Sequence, residues 1–275
     1  MKVLYITAAG GADYQCDVLF HGLRSLLGPD CVDVQKIWFM YDTSPSYMFH
    51  SLYKLLPDIE VDRDDIADKI RAHYFDAVIF GSVHRCLDHF DLVRALYPRE
   101  KIAYIDGEDH HLVTPQVGHG WYFKRELQDD NPGLLPIQFG IPEENIRPID
   151  LSRKTHLMAH CDPRDRSTYI YYDSEKRYYD QYSDAYFGYT MKKGGWDCMR
   201  HHEILAAGTV PYFSGIENCP TRTLFKFSRP ALQYAINHHD SWPKDEDAYE
   251  PLLEDLRSGL MTTKDVAKYV LEHLR

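Results

Sequence analysis

No stretch of this 275-residue chain approaches the roughly 20 consecutive apolar residues of a membrane-spanning helix. The opening MKVLYITAAGGADYQ runs into glycines and an acid, so it lacks the form of a signal peptide. A soluble, cytoplasmic protein is expected. Positive charge is also scarce: 31 Lys and Arg against 42 Asp and Glu give a formal net charge of −11. That balance argues against nucleic acid and anionic membranes as partners, because both require a cationic footprint. The six cysteines form no CxxC pair and stand at no zinc-binding spacing with histidine, so reduced thiols are expected. GxGxxG, GxxxxGK[ST] and GxSxG are all missing, which removes the fingerprints of dinucleotide enzymes, P-loop NTPases and serine hydrolases. There is no solenoid-length repeat and no low-complexity tract.

What remains is an ordinary globular composition, 44% hydrophobic and 27% charged, with 21 tyrosines that offer both a ring and a hydroxyl. KVLYITA (2–8) is a short apolar run closed by glycines. Cys16, Leu19, Phe20, Leu23, Leu26 and Leu27 then recur at helical spacing. Strand, glycine turn and amphipathic helix open an α/β unit. The alternation continues with a helix in 59–73, a strand at 76–81, a helix at 88–97, a strand at 101–107, a helix at 118–128 and a strand at 135–141. Continuous apolar strands between helices predict a parallel sheet covered on both faces. PEENIRPIDLSRK (142–154) is polar and proline-containing, and a domain boundary is placed there. Beyond it come strands at 155–161, 184–190 and 209–213, with helices over 166–182, near 198–207, at 231–239 and at 262–274. The last of these is expected to return toward the first domain. SWPKDEDAYEP (241–251) reads as a solvated connector. The expectation is an α/β protein of two Rossmann-like α/β/α domains, 1–148 and 149–275, facing a cleft at the carboxyl ends of their strands.

The stretch 192–213, KKGGWDCMRHHEILAAGTVPYF, concentrates the chemistry. Asp197 fits a helix N-cap. Gly194 and Gly195 allow a close backbone approach. The helix start, with its unpaired N–H groups, attracts phosphate, and Lys192, Lys193 and Arg200 add formal charge. Arg200 has the fork that grips two phosphate oxygens. Glu203, three residues on, is suited to accept hydrogen bonds from vicinal sugar hydroxyls. Trp196 offers a ring to stack on a sugar or base. A surface ion pair between Arg200 and Glu203 is the plainer alternative, and His201 and His202 fit packed positions.

RHHEILAAGTVPYF resembles the donor-binding helix of GT-B glycosyltransferases, with Glu203 at the ribose-binding glutamate and Gly208 and Pro211 at matching offsets. Retaining members carry a second glutamate eight residues earlier. Gly195 stands there, so the resemblance implies an inverting, exostosin-like type (family 47-like), similar over about 35 residues to transferases of large algal viruses; the location is then the host's cytoplasm. It implies a nucleotide-sugar co-substrate, UDP-linked and with UDP-xylose among the candidates, a glycan or glycoside acceptor, and no metal requirement.

Inverting transfer needs a base on the first domain's side of the cleft. Asp13, in the loop after the first strand, is one candidate, and it also fits a plain N-cap. Asp106 and Asp109 in DGEDHH (106–111) are rivals, with Glu108 and His110 placed to orient acceptor hydroxyls. The same acids invite a divalent cation, which is not expected here. Lys124 and Arg125 are placed to help from across the cleft, or as the wet side of a helix. Epimerase or hydrolase chemistry on the nucleotide sugar, or a non-catalytic binding module, are the alternatives.

Overall fold

The computed structural model describes residues 1–7, 11–48, 50–129, 131–165, 167–168, 175–242 and 245–275. The chain is a mixed α/β protein. Its larger sheet has six parallel strands in the order β2-β1-β3-β4-β5-β6: β1 Val3–Ile6, β2 Cys31–Asp33, β3 Ala77–Phe80, β4 Ile102–Asp106, β5 Trp121–Lys124 and β6 Leu135–Pro136. The helices between them are α1 Tyr14–Leu27, α2 Ile66–Arg71 and α3 Phe90–Leu96.

Alternation along the strands builds a core on each face. Val3 and Tyr5 of β1, Ala77 and Ile79 of β3, and Ala103 and Ile105 of β4 pack in one cluster with α1. Leu4 and Ile6, Val78 and Phe80, and Ile102 and Tyr104 pack in the other, with α2 and α3. Asp13 caps α1 by accepting from the Cys16 N–H at 3.3 Å. Gly28, at φ +55°, ends it with its N–H on the Arg24 carbonyl.

The smaller sheet, β7-β8-β9, is also parallel, with β7 His156–Met158, α4 Glu175–Ser183, β8 Ala185–Met191, α5 Met199–Ala206 and β9 Val210–Ser214. α6 Arg229–His238 and α7 Glu246–Ser258 follow, and Phe187, Val210 and Phe213 pack with Leu232, Tyr249 and Leu253 of these helices. The last helix, α8 Thr263–His273, begins in a Thr262–Asp265 capping box and lies on α1. A Cβ on Gly22 would stand 1.9 Å from the Thr263 carbonyl oxygen, so only glycine admits this approach. The core beneath α1 is continuous with Tyr178, Tyr182, Met199 and Ile204 of the second half. Among the described residues no helix is long and apolar enough to cross a membrane.

Four expectations are corrected. Residues 118–128 hold strand β5, not a helix: β5 pairs along β4 in register, and Gly120 lies against it, where a Cβ would meet the Ile102 carbonyl at 2.5 Å. The 135–141 strand shortens to two residues, and the 59–73 helix to Ile66–Arg71. The supposed connector 241–251 contains the start of α7, whose Tyr249 is fully buried. Of the 166–182 helix, residues 166 and 169–174 lie outside the described residues, and α4 accounts for the rest.

Candidate functional site

The loop after β8 and the start of α5 face the 107–109 loop that follows β4. A cavity of about 320 Å³ opens there, within the size range of small-molecule sites. Lys193, Gly194, Arg200 and Glu203 line it from the second half, and Tyr14, His50 and Asp109 from the first.

Arg125 and Glu126 set this juxtaposition. Arg125 is buried beneath Phe139, its guanidinium 4.8 Å from the ring centroid. It donates to the Gly107 carbonyl at 2.8 and 3.0 Å, to the Asp109 carboxylate and to the Asp197 carbonyl, and pairs with Glu126 at 3.0 Å. Glu126 in turn accepts from the Trp196 and Asp197 N–H groups, both at 2.9 Å. Burial pushes its carboxyl up, against the pull of Arg125 and these two amides. The glycines are needed for this contact. A Cβ on Gly194 would lie 2.0 Å from Asp109 Oδ2, and one on Gly195 would lie 2.4 Å from Glu126 Oε1. So the close approach anticipated at Gly194 and Gly195 is to the protein's own carboxylates. The amides of residues 196 and 197, just before the helix start, hold Glu126.

Asp197 is not the N-cap of α5. Cys198 holds that position without a side-chain cap bond. Asp197 instead accepts from His202 Nε2 at 2.7 Å and from the Phe139 N–H at 3.1 Å. Burial works to raise its pKa, but His202 and Arg125 hold it below the usual carboxylate range. His201 is fully buried, stacked on Phe213 at 4.2 Å, with Nε2 on the Trp196 carbonyl and Nδ1 against the Thr190 hydroxyl, both 2.8 Å. Burial lowers its pKa to about 3, so it stays neutral. Both histidines therefore hold the fold of the loop.

Arg200 and Glu203 are 7% and 8% exposed, which rules out a solvated surface ion pair. Both reach the cavity. Cys198, Met199 and Arg200, which begin α5, line the same wall, and the N–H groups of a first helical turn lie beyond the reach of the intrahelical i to i−4 bonds. Glu203 accepts from the Tyr178 hydroxyl at 2.7 Å. Burial pushes its carboxyl up, although Tyr178 and Arg200 favour the charged form. Glu175, in the same wall, is pushed up to about 8 by burial and by the charge of Glu203.

The first-half candidates divide. Asp109 borders the cavity and is well exposed. Asp106 does not reach it: its carboxylate is fully buried and held by Lys124 at 2.7 Å, Tyr122 at 2.6 Å and His84 at 3.1 Å. Lys124 is equally buried and opposite Asp106 in the β4–β5 register, so it is neither across the cleft nor wet. Asp13 is engaged as the α1 cap and with Arg85 at 3.2 Å. Glu108 lies 3.6 Å from the same guanidinium, and His110 packs edge-on to His84. None of these three is in the cavity wall, nor are Lys192, Gly195 and Trp196. The Lys192 ammonium sits 5.0 Å over the Trp196 ring. Among the described residues no group of three His, Cys, Asp or Glu side chains is arranged to hold a metal ion.

Among the wall residues that the sequence reading did not single out are Tyr14, His50, Glu175 and Tyr178. His50 stacks on Tyr14 at 4.4 Å, accepts the Leu52 N–H at Nδ1, and lies 3.2 Å from the buried Asp17 carboxylate. The aromatic density of YDTSPSYMFHSLY (41–53) was the available signal. A scan of protein-family models and a search of curated proteins return no match.

Proposed function

We propose that the chain is a glycosyltransferase, built on a GT-B-like plan, that moves a sugar from a UDP-sugar to a glycan hydroxyl with inversion. The observation that carries this reading is one cavity walled by Lys193, Arg200, Glu203 and the start of α5 on one side and by Asp109 and stacked aromatics on the other. The diphosphate lies against Arg200 and the α5 amides, where fixed donors stabilise the charge that develops as the leaving group departs. Glu203 accepts from sugar hydroxyls, and Tyr14 and Tyr178 offer ring faces. Asp109 is the only one of the proposed carboxylate bases in the wall, and it takes the acceptor's proton as the oxygen attacks the anomeric carbon. No metal is assigned a role.

The test is turnover. Purified protein is offered a panel of UDP-sugars with and without oligosaccharide acceptors, and UDP release is followed. Acceptor-stimulated release, lost in Asp109→Asn with UDP affinity kept, supports the reading. Equal release without acceptor makes the protein a hydrolase, and UDP binding without release makes it a binding module.

A further inference from the structure

A second cavity, of about 380 Å³, shares no lining residue with the first. It lies between α1, the start of α8, residues 55–59 and the turn at 143–144. The tight packing at Gly22 seats His21 against Thr263, with Nδ1 2.8 Å from the hydroxyl. Arg24, one turn on, lines the same cavity. Each of the two is only 3% exposed.

Their donors are incompletely used. Arg24 Nη2 binds the Cys31 carbonyl at 2.8 Å and Asp33 at 2.6 Å, but Nε and Nη1 have no hydrogen-bond partner among the described residues. Nor has His21 Nε2, since the nearest carboxylate, Glu144, is 3.8 Å away. An unmatched buried donor is destabilising, because it has lost its water without gaining a partner. Asp33 is shared by two guanidinium groups, Arg24 and Arg63 at 2.6 and 2.8 Å, so this one carboxylate does not neutralise both. The opposite wall is apolar, formed by Leu55, Leu56 and Pro57.

We infer that this cavity binds a small organic oxyanion with a short apolar body, its oxygens taken by Arg24 and His21. The guanidinium offers adjacent N–H groups to one anion. The anion selects the imidazole tautomer with its hydrogen on Nε2, and the Thr263 hydroxyl then donates to Nδ1. At the mouth Lys264 is neutralised by Glu143 at 2.5 Å, and binding requires the half-exposed Glu144, 3.8 Å from His21 Nε2, to give way. The apolar body rests on Leu55 and Pro57.

The experiment titrates protein carrying labelled histidine with benzoate and with inorganic phosphate, following the His21 ring signals by NMR. Saturable movement of those signals is expected, and the tighter probe tells a carboxylate from a phosphate ligand. Ser25 is exposed at the cavity rim, so Ser25→Glu leaves the fold intact and adds a repelling charge. It should weaken binding roughly tenfold or more, whereas Glu203→Gln in the first cavity leaves it unchanged. No saturable shift with either probe, affinity unaltered by Ser25→Glu, or loss in Glu203→Gln alone would each overturn the assignment.

Discussion

Replacing Glu175 by glutamine gives a pH-dependent gain in stability whose size follows from the structure. Burial and the neighbouring charge of Glu203 push the Glu175 carboxyl up to about 8, from an ordinary 4.5. Between those values the folded protein holds a proton that the unfolded chain has released. Stability is therefore unaffected by this group below about pH 4.5, falls as pH rises through the window, and reaches its floor near pH 8. Each pH unit in the window removes about 1.4 kcal/mol, so the whole window amounts to roughly 4–5 kcal/mol. Sharing of the proton with Glu203, itself raised by burial, reduces the expected figure to about 2–4 kcal/mol. Glu126 and Asp17 are raised as well, so the wild type declines for several reasons. The difference between Glu175→Gln and wild type isolates the one group. Urea unfolding at about pH 5 and about pH 8 measures it. A gain of about 2–4 kcal/mol near pH 8 with almost none near pH 5 is expected. Equal gains at both, or a loss near pH 8, would refute the reasoning. Under the proposed function, a protonated Glu175 beside Glu203 would offer a donor and an acceptor to sugar hydroxyls.

Arg200→Ala should weaken UDP binding by roughly 10- to 100-fold through loss of a charged donor, and Glu203→Gln by about tenfold for a UDP-sugar; calorimetry on each variant, with circular dichroism to confirm the fold, checks both. Transfer activity should persist in EDTA, and complete loss restored by manganese would instead give Asp109 and its neighbours a metal. Gly22→Ala must push α8 off α1, because its Cβ would fall 1.9 Å from a backbone oxygen; a loss of about 3 kcal/mol in denaturant unfolding is expected.

The strands that could be read from sequence are those buried on both faces. AVIF in β3 and IAYI in β4 are continuous apolar runs because helices or neighbouring segments cover each side. β5 was misread because WYFKRE looks amphipathic, and nothing local shows that Lys124 is buried against Asp106. Asp106 was placed correctly at a strand end but on the wrong face: it follows Ile102 and Tyr104, which point toward α2 and α3, while α1 and the cavity lie on the face of Ala103 and Ile105. The 193–203 part of the second-half wall was legible because these residues are contiguous and run into a helix start, whereas Glu175 and Tyr178 on α4 gave no such local signal. The first-half wall is assembled from Tyr14, His50 and Asp109, three separated stretches, so no local pattern announces it. Glu126 was unforeseen for the same reason: its partners are the amides of residues 196 and 197.

A crystal structure of the protein soaked with UDP tests the central claim most directly. The diphosphate should lie in the first cavity within hydrogen-bond distance of the Arg200 guanidinium and the first-turn amides of α5, with Glu126 still holding residues 196 and 197. Nucleotide bound elsewhere, or a cavity left empty at saturating UDP, would contradict the account.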